Sequence, residues 1–146
     1  RPEGARFYTA SNTDLGVSNV DMVLTFRNVH NWVRNGIAED MFKQMHAILK
    51  PGGIMGLVAH RGTDEMTTKE HASTGYLAES VIISLAERNG FEFIDAAEIN
   101  ANPKDTKDHP EGVWTLPPSF RLGDTDREKY EAIGESDRMT LKFIKL

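Results

Sequence analysis

Two near-continuous apolar runs, "VDMVLTF" at 20–26 and "IMGLVAH" at 54–60, flank an amphipathic stretch and a "KPGG" stop. In the first run Val20, Met22, Val23, Leu24 and Phe26 are apolar without alternation, which suits a strand covered on both faces by helices. Between the runs, Ile37, Met41, Met45, Ile48 and Leu49 fall on one stripe at helical spacing and predict a helix over 37–49. Pro51 cannot continue that helix, and Gly52 can take a left-handed cap. A strand–helix–strand unit of this kind closes as a right-handed parallel crossover.

The pattern then repeats. Tyr76–Arg88 predicts a second amphipathic helix on Leu77, Val81, Ile82, Leu85 and Ala86, closed by Asn89 and Gly90. "FEFIDAAEI" at 91–99 predicts a third strand. Residues 100 to 136 are polar, with a short helix expected near 125–133. In the closing "RMTLKFIKL", Met139, Leu141 and Phe143 alternate with Thr140 and Lys142, the mark of a strand with two unlike faces. An antiparallel position beside its predecessor is the economical one. A further short strand is expected at Arg6–Ala10. The reading is α/β: half of a Rossmann-like three-layer αβα sandwich with an antiparallel last strand.

Composition removes several classes of function. The 146 residues suffice for one domain with a core, and 39% hydrophobic with 27% charged residues marks a globular chain. Seventeen basic against 22 acidic residues give a net charge of −5, so neither nucleic acid nor an anionic membrane is an expected partner. No apolar run approaches the roughly 20 residues of a membrane span. There is no cysteine, which excludes disulfides, thiolate catalysis and thiolate zinc sites. None of the five histidines has HxH or HExxH spacing, so no metal site is expected. A G-x-S-x-G elbow is absent. The glycines of "PGGIMG" precede a strand instead of following one, and so are turn residues.

What remains is a polar cluster. Arg27, Asn28, His30 and Trp32 sit just beyond the carboxyl end of the first run, where open α/β sheets bind ligands. The plainer alternative is that Asn28 and Asn31 cap the next helix and Trp32 packs on its flank. His60 and Arg61 end the next strand at the same edge, or form a solvated strand end. His30 has the intrinsic pKa of a general base near neutrality. His46 reads as a surface or packing residue, and His71 and His109 fall in loops. The long segment 102–120 carries Trp114, Leu116 and Phe120 as an apolar underside and reads as a lid, or else as a surface excursion or homodimer contact.

Four stretches, in this order and spacing, resemble the C-terminal half of a class I S-adenosylmethionine (SAM)-dependent methyltransferase: "VDMVLTFRNVHNW", "MHAILKPGGIMGLVAHR", "LAERNGFEFIDAAEI" and "SDRMTLKFIKL". "FRNVHNW" is also similar to the segment after the fourth strand of quinone-pathway C-methyltransferases. The whole is most similar to a bacterial group of uncharacterised methyltransferases. The resemblance covers roughly residues 6–146.

The resemblance implies SAM as cofactor, S-adenosylhomocysteine as product and a small-molecule methyl acceptor. It implies Asn12 (or its neighbour Ser11), Phe26, Arg27 and Asn28 on the cofactor side. It places Trp32, His60, Arg61 and Trp114 on the acceptor side, with His30 as catalytic base. The family's glycine-rich loop and its acidic ribose ligand do not occur in 1–146. They are expected upstream, in roughly one more half-domain. Residues 1–146 then form a single methyltransferase-like domain lacking its cofactor-loop half. A non-catalytic half-domain serving as partner or scaffold is the second expectation, and an NAD or nucleotide-sugar enzyme the third. The cofactor pool favours the cytoplasm, although relatives of this group include exported proteins.

Overall fold

The computed structural model describes residues 15–146. The strand expected at Arg6–Ala10, and Ser11 and Asn12, lie outside the described residues. The chain runs through β1 (Val20–Phe26), α1 (Val29–Arg34), α2 (Ala38–Ile48), β2 (Leu49–His60), α3 (Lys69–Ala72), α4 (Glu79–Arg88), β3 (Phe91–Ala97), α5 (Arg127–Ile133) and β4 (Arg138–Lys145). A 3-10 turn, Gly112–Thr115, lies in the long connection before α5.

The sheet order is β1-β2-β4-β3. β1 and β2 are parallel, and β4 is antiparallel to both β2 and β3. The crossover through α4 sets β3 down one strand-width away from β2, and β4 fills the gap. Its alternation suits the slot: Met139, Leu141 and Phe143 turn into the core while Lys142 is exposed. The core joins Met55, Leu57 and Ala59 of β2 to these residues, to Phe42 and Met45 of α2, and to Ile82, Leu85 and Ala86 of α4. Each large apolar side chain buried in this layer stabilises the fold by about 1.5–3 kcal/mol.

Several boundaries differ from expectation; β2 begins at Leu49 instead of 54, and β3 ends at Ala97 instead of 99. α2 stops at Ile48, because Leu49 is already extended and pairs with Val20. Lys145 Nζ donates to the Leu49 carbonyl at 2.8 Å and Lys50 bridges to Asp21 at 2.8 Å, so "KPGG" bends a strand instead of capping a helix. Gly52 still takes the left-handed conformation, with φ +77. α4 begins at Glu79, not Tyr76: the Leu77 N–H donates to His60 and its carbonyl accepts from Gly62, which uses the backbone as a bridge. The short helices α1 and α3 were not expected.

β1 is only half covered. Val20 and Val23 pack against the core cluster and Thr25 is buried, but Met22, Leu24 and Phe26 on its other face are 55–56% exposed. The apolar run reads as two-sided, and the described residues cover one side.

Candidate functional site

The carboxyl edge of the sheet is built by an abrupt turn. After Phe26 the backbone of Arg27 is left-handed (φ +58), and its N–H donates to the Val58 carbonyl at 2.7 Å. A non-glycine residue there is strained and needs its surroundings to hold it. Asn28 then opens α1, its carbonyl accepting from the N–H groups of Asn31 and Trp32. This carries His30 back over the strand ends. Its ring centroid lies 5.4 Å from that of His60 and 5.7 Å from that of Trp114, edge-on. His60 Nδ1 and Ser136 Oγ share a hydrogen bond of 2.5 Å. Arg138 stands directly opposite His60 across the β2–β4 ladder, so both side chains leave the same face of the sheet.

Both histidines are uncharged at neutral pH. Burial, and then the charge of Arg34, push the His30 pKa down to about 4. Burial first, then His30, Arg138 and Arg27, push His60 down to about 3. His30 Nδ1 is buried without a hydrogen-bond partner, and so is Arg138 Nε. The outer nitrogen of Arg138, Nη2, reaches Glu135 Oε1 at 3.4 Å.

The long connection between β3 and α5 is tied down by a buried polar network. Asp105 accepts from the Tyr76 hydroxyl at 2.8 and 2.9 Å and from the N–H groups of Lys107 and Asp137; His109 Nε2 lies 2.8 Å from it. Burial, and then the bond to Asp105, hold the Tyr76 hydroxyl protonated far above its ordinary range. Burial would raise the Asp137 pKa, but bonds from Arg61, the Asn102 N–H and Lys107 outweigh it and hold it down. Val113 and Leu116 are buried beneath the segment, and Trp114 meets His30 on one side and the Arg121 guanidinium, 5.0 Å from its ring, on the other. Phe120 carries Arg127 over its ring at 4.0 Å.

The structure brings together His30, His60 and Trp114, with Arg27 close enough to act on His60. Two other expected acceptor-side residues are placed elsewhere. Trp32 lies two positions along α1 from His30, hence on a different side of the helix, and packs edge-on against Phe42 at 6.2 Å. The Arg61 guanidinium is taken up by Glu98 at 2.7 Å and Asp137 at 3.0 Å, so it ties the end of β2 to the residues just after β3 and just before β4. Asn28 makes no side-chain cap; its Nδ2 donates to Thr25 Oγ1 at 3.3 Å, and the residue is exposed beside Phe26. Sequence reasoning missed Ser136, Asp137, Tyr76, Asp105 and Arg138. Among the described residues no group of three or more His, Asp or Glu side chains is placed to hold a metal ion, and no helix is long and apolar enough to cross a membrane.

No protein-family model matches the chain. No curated protein matches it either. Solved structures do. A TehB-like SAM-dependent methyltransferase from Corynebacterium glutamicum is 13% identical, with a TM-score of 0.54 over 95% of this chain and 54% of its own. The [4+2]-cyclase SpnF is 14% identical, with a TM-score of 0.59 over 94% of this chain and 55% of its own. A mycolic acid cyclopropane synthase complexed with SAH and CTAB is 17% identical, with a TM-score of 0.54 over 90% and 57%. The fold is therefore the Rossmann-like one of class I SAM-dependent methyltransferases, and the chain spans about half the length of these structures.

Proposed function

We propose that this chain is the C-terminal half of the catalytic domain of a SAM-dependent methyltransferase acting on a small molecule. The observation that carries the reading is the orphaned His30 Nδ1, buried at the carboxyl edge of β1 in a chain with this fold. Such an edge is where open α/β sheets take their ligands. A buried nitrogen without a partner costs stability unless a ligand satisfies it.

The residues present fit one wall of a cofactor site. Phe26 offers a half-exposed aromatic face, Asn28 an exposed amide, and Arg27 a backbone fixed against β2. These residues would hold SAM, which would supply an electrophilic methyl group: the acceptor's lone pair would form the new bond to carbon, and the C–S electron pair would stay on sulfur, leaving neutral S-adenosylhomocysteine. His30 and Trp114 then orient the acceptor and exclude water, and His30 Nδ1 takes the proton an O–H or N–H acceptor must lose. The uncovered Met22, Leu24 and Phe26 support placing the rest of a methyltransferase domain against that face of β1.

Titration calorimetry on the intact purified protein, of measured mass, tests the reading. Binding of S-adenosylhomocysteine but not NAD is expected. His30→Ala should keep that binding and lose turnover. A folded protein that binds no S-adenosylhomocysteine would favour the second reading, a methyltransferase-like partner or scaffold subunit using the same open face.

A further inference from the structure

The edge around His30 holds more positive charge than its neutral histidines require. Arg34 acts on His30, while Arg27 and Arg138 act on His60. Among the described residues neither Arg27 nor Arg34 has a carboxylate within ion-pair distance, and Arg138 has only the 3.4 Å contact to the largely exposed Glu135. Arg61 and Arg88 are matched more closely, the first by Glu98 and Asp137 and the second by Glu39, while the exposed Arg121 reaches Glu111 only at 3.7 Å. What sets this edge apart is that its cations surround buried groups, in a chain whose net charge is −5. The two orphaned buried nitrogens belong to the same place. Arg138 Nε lies on the residue facing His60 across the ladder, and His30 Nδ1 lies on the ring packed against His60. His30 as a residue is 5% exposed. A buried guanidinium nitrogen with no acceptor is costly, and a carboxylate is the group its fork fits best.

We propose that this edge binds an organic carboxylate as the methyl acceptor, its charge held by Arg138 and Arg27 and its reacting group placed against His30. This rests on the methyltransferase reading and names the acceptor class within it. The proposal also resolves a difficulty of the free site. An imidazole held neutral by burial and neighbouring arginines is always free to take a proton, but is a feeble base. An anion seated among those arginines cancels their field and raises the proton affinity of His30 when the acceptor arrives. Trp114 supplies the apolar wall for the body of such a molecule.

The test uses the intact protein with saturating S-adenosylhomocysteine, and benzoate against its neutral analogue benzamide. Affinity is read by calorimetry and location by the side-chain ¹H–¹⁵N signals of His30 and His60. We expect benzoate to bind at least tenfold more tightly and to shift both imidazole signals. Arg138→Gln should abolish the preference, and Arg138→Lys should restore part of it. Arg88→Ala, on the far exposed ion pair with Glu39, should leave it unchanged. Equal affinity for the two probes, no benzoate binding, or an equal loss in the Arg88 variant would overturn the proposal. The readings separate cleanly. Benzoate bound at His30 in a protein that does not bind S-adenosylhomocysteine would sink the methyltransferase reading and keep the anion site. S-adenosylhomocysteine bound without any preference for benzoate would do the reverse.

Discussion

Ser136 and His60 share a 2.5 Å hydrogen bond between groups that are both buried, one between α5 and β4 and one at the end of β2. The bond uses up the Nδ1 position of His60 and so fixes which way the ring faces His30. Ser136→Ala removes the partner and keeps the volume nearly unchanged. A buried ring nitrogen left unpaired costs about 1–3 kcal/mol. The urea midpoint should fall accordingly, and the His60 side-chain nitrogen signals should show a mixture of tautomers. An unchanged midpoint would mean that the bond contributes nothing.

The paired histidines make the fold acid-sensitive. Their folded pKa values, about 4 for His30 and about 3 for His60, lie below the unfolded value of 6.5. In that window the unfolded chain binds more protons than the folded one, so stability rises with pH and is lost as pH drops below about 6.5. Each histidine contributes up to about 1.4 kcal/mol per pH unit there. Denaturation midpoints at pH 7.5 and 5.0 measure the loss. A His30→Asn, His60→Asn double variant should show a much flatter dependence between the two pH values. An equally steep dependence would assign the acid sensitivity to carboxylates.

Tyr76 carries the third expectation. Its hydroxyl donates to Asp105, whose carboxylate also gathers the backbone of Lys107 and Asp137 and the ring of His109. Tyr76→Phe takes one donor from a buried carboxylate that keeps the others, so the loss should be moderate, about 1–3 kcal/mol. Asp105→Ala strips the acceptor from all of them and should cost about 3–5 kcal/mol. Hydrogen exchange should accelerate over residues 100–136 before it does so in β2, since the network joins that segment to the sheet. Uniform acceleration would show that this segment does not open separately.

The frame of this fold was legible because its signals are local. Apolar runs gave β1 and β2, helical stripes gave α2 and α4, and the alternation of Met139, Leu141 and Phe143 placed β4 with one face to the core. Of the candidate cluster, the structure brings His30, His60 and Trp114 together and leaves Trp32 and Arg61 apart. His30, His60 and Trp114 could be picked out because strand ends and long loops are where ligands bind. Trp32 and Arg61 fit the same rule and were drawn away, one by packing on Phe42 and the other by carboxylates far along the chain. Ser136, Asp105 and Arg138 carried no signal of their own. Their roles come from partners on other elements, brought close only when β4 inserts beside β2.

Two glycines in the long connection between β3 and α5 separate steric contact from backbone strain. Gly112 and Gly123 are both left-handed, with φ of +57 and +61. A β-carbon at Gly123 would meet open space, whereas one at Gly112 would overlap the Thr74 carbonyl, the group that accepts from the Val113 N–H at 3.0 Å. Gly123→Ala should therefore cost only the conformational penalty, about 1–2 kcal/mol. Gly112→Ala adds the clash, and relief requires the 3-10 turn to lift from the loop holding Thr74 and Gly75. Trp114 sits on that turn, so its contact with His30 should loosen as well. Thermal melts should rank Gly112→Ala well below Gly123→Ala, and the tryptophan fluorescence of the folded protein should shift in the first variant only. Equal melting temperatures would mean that the turn does not depend on this close approach to Thr74.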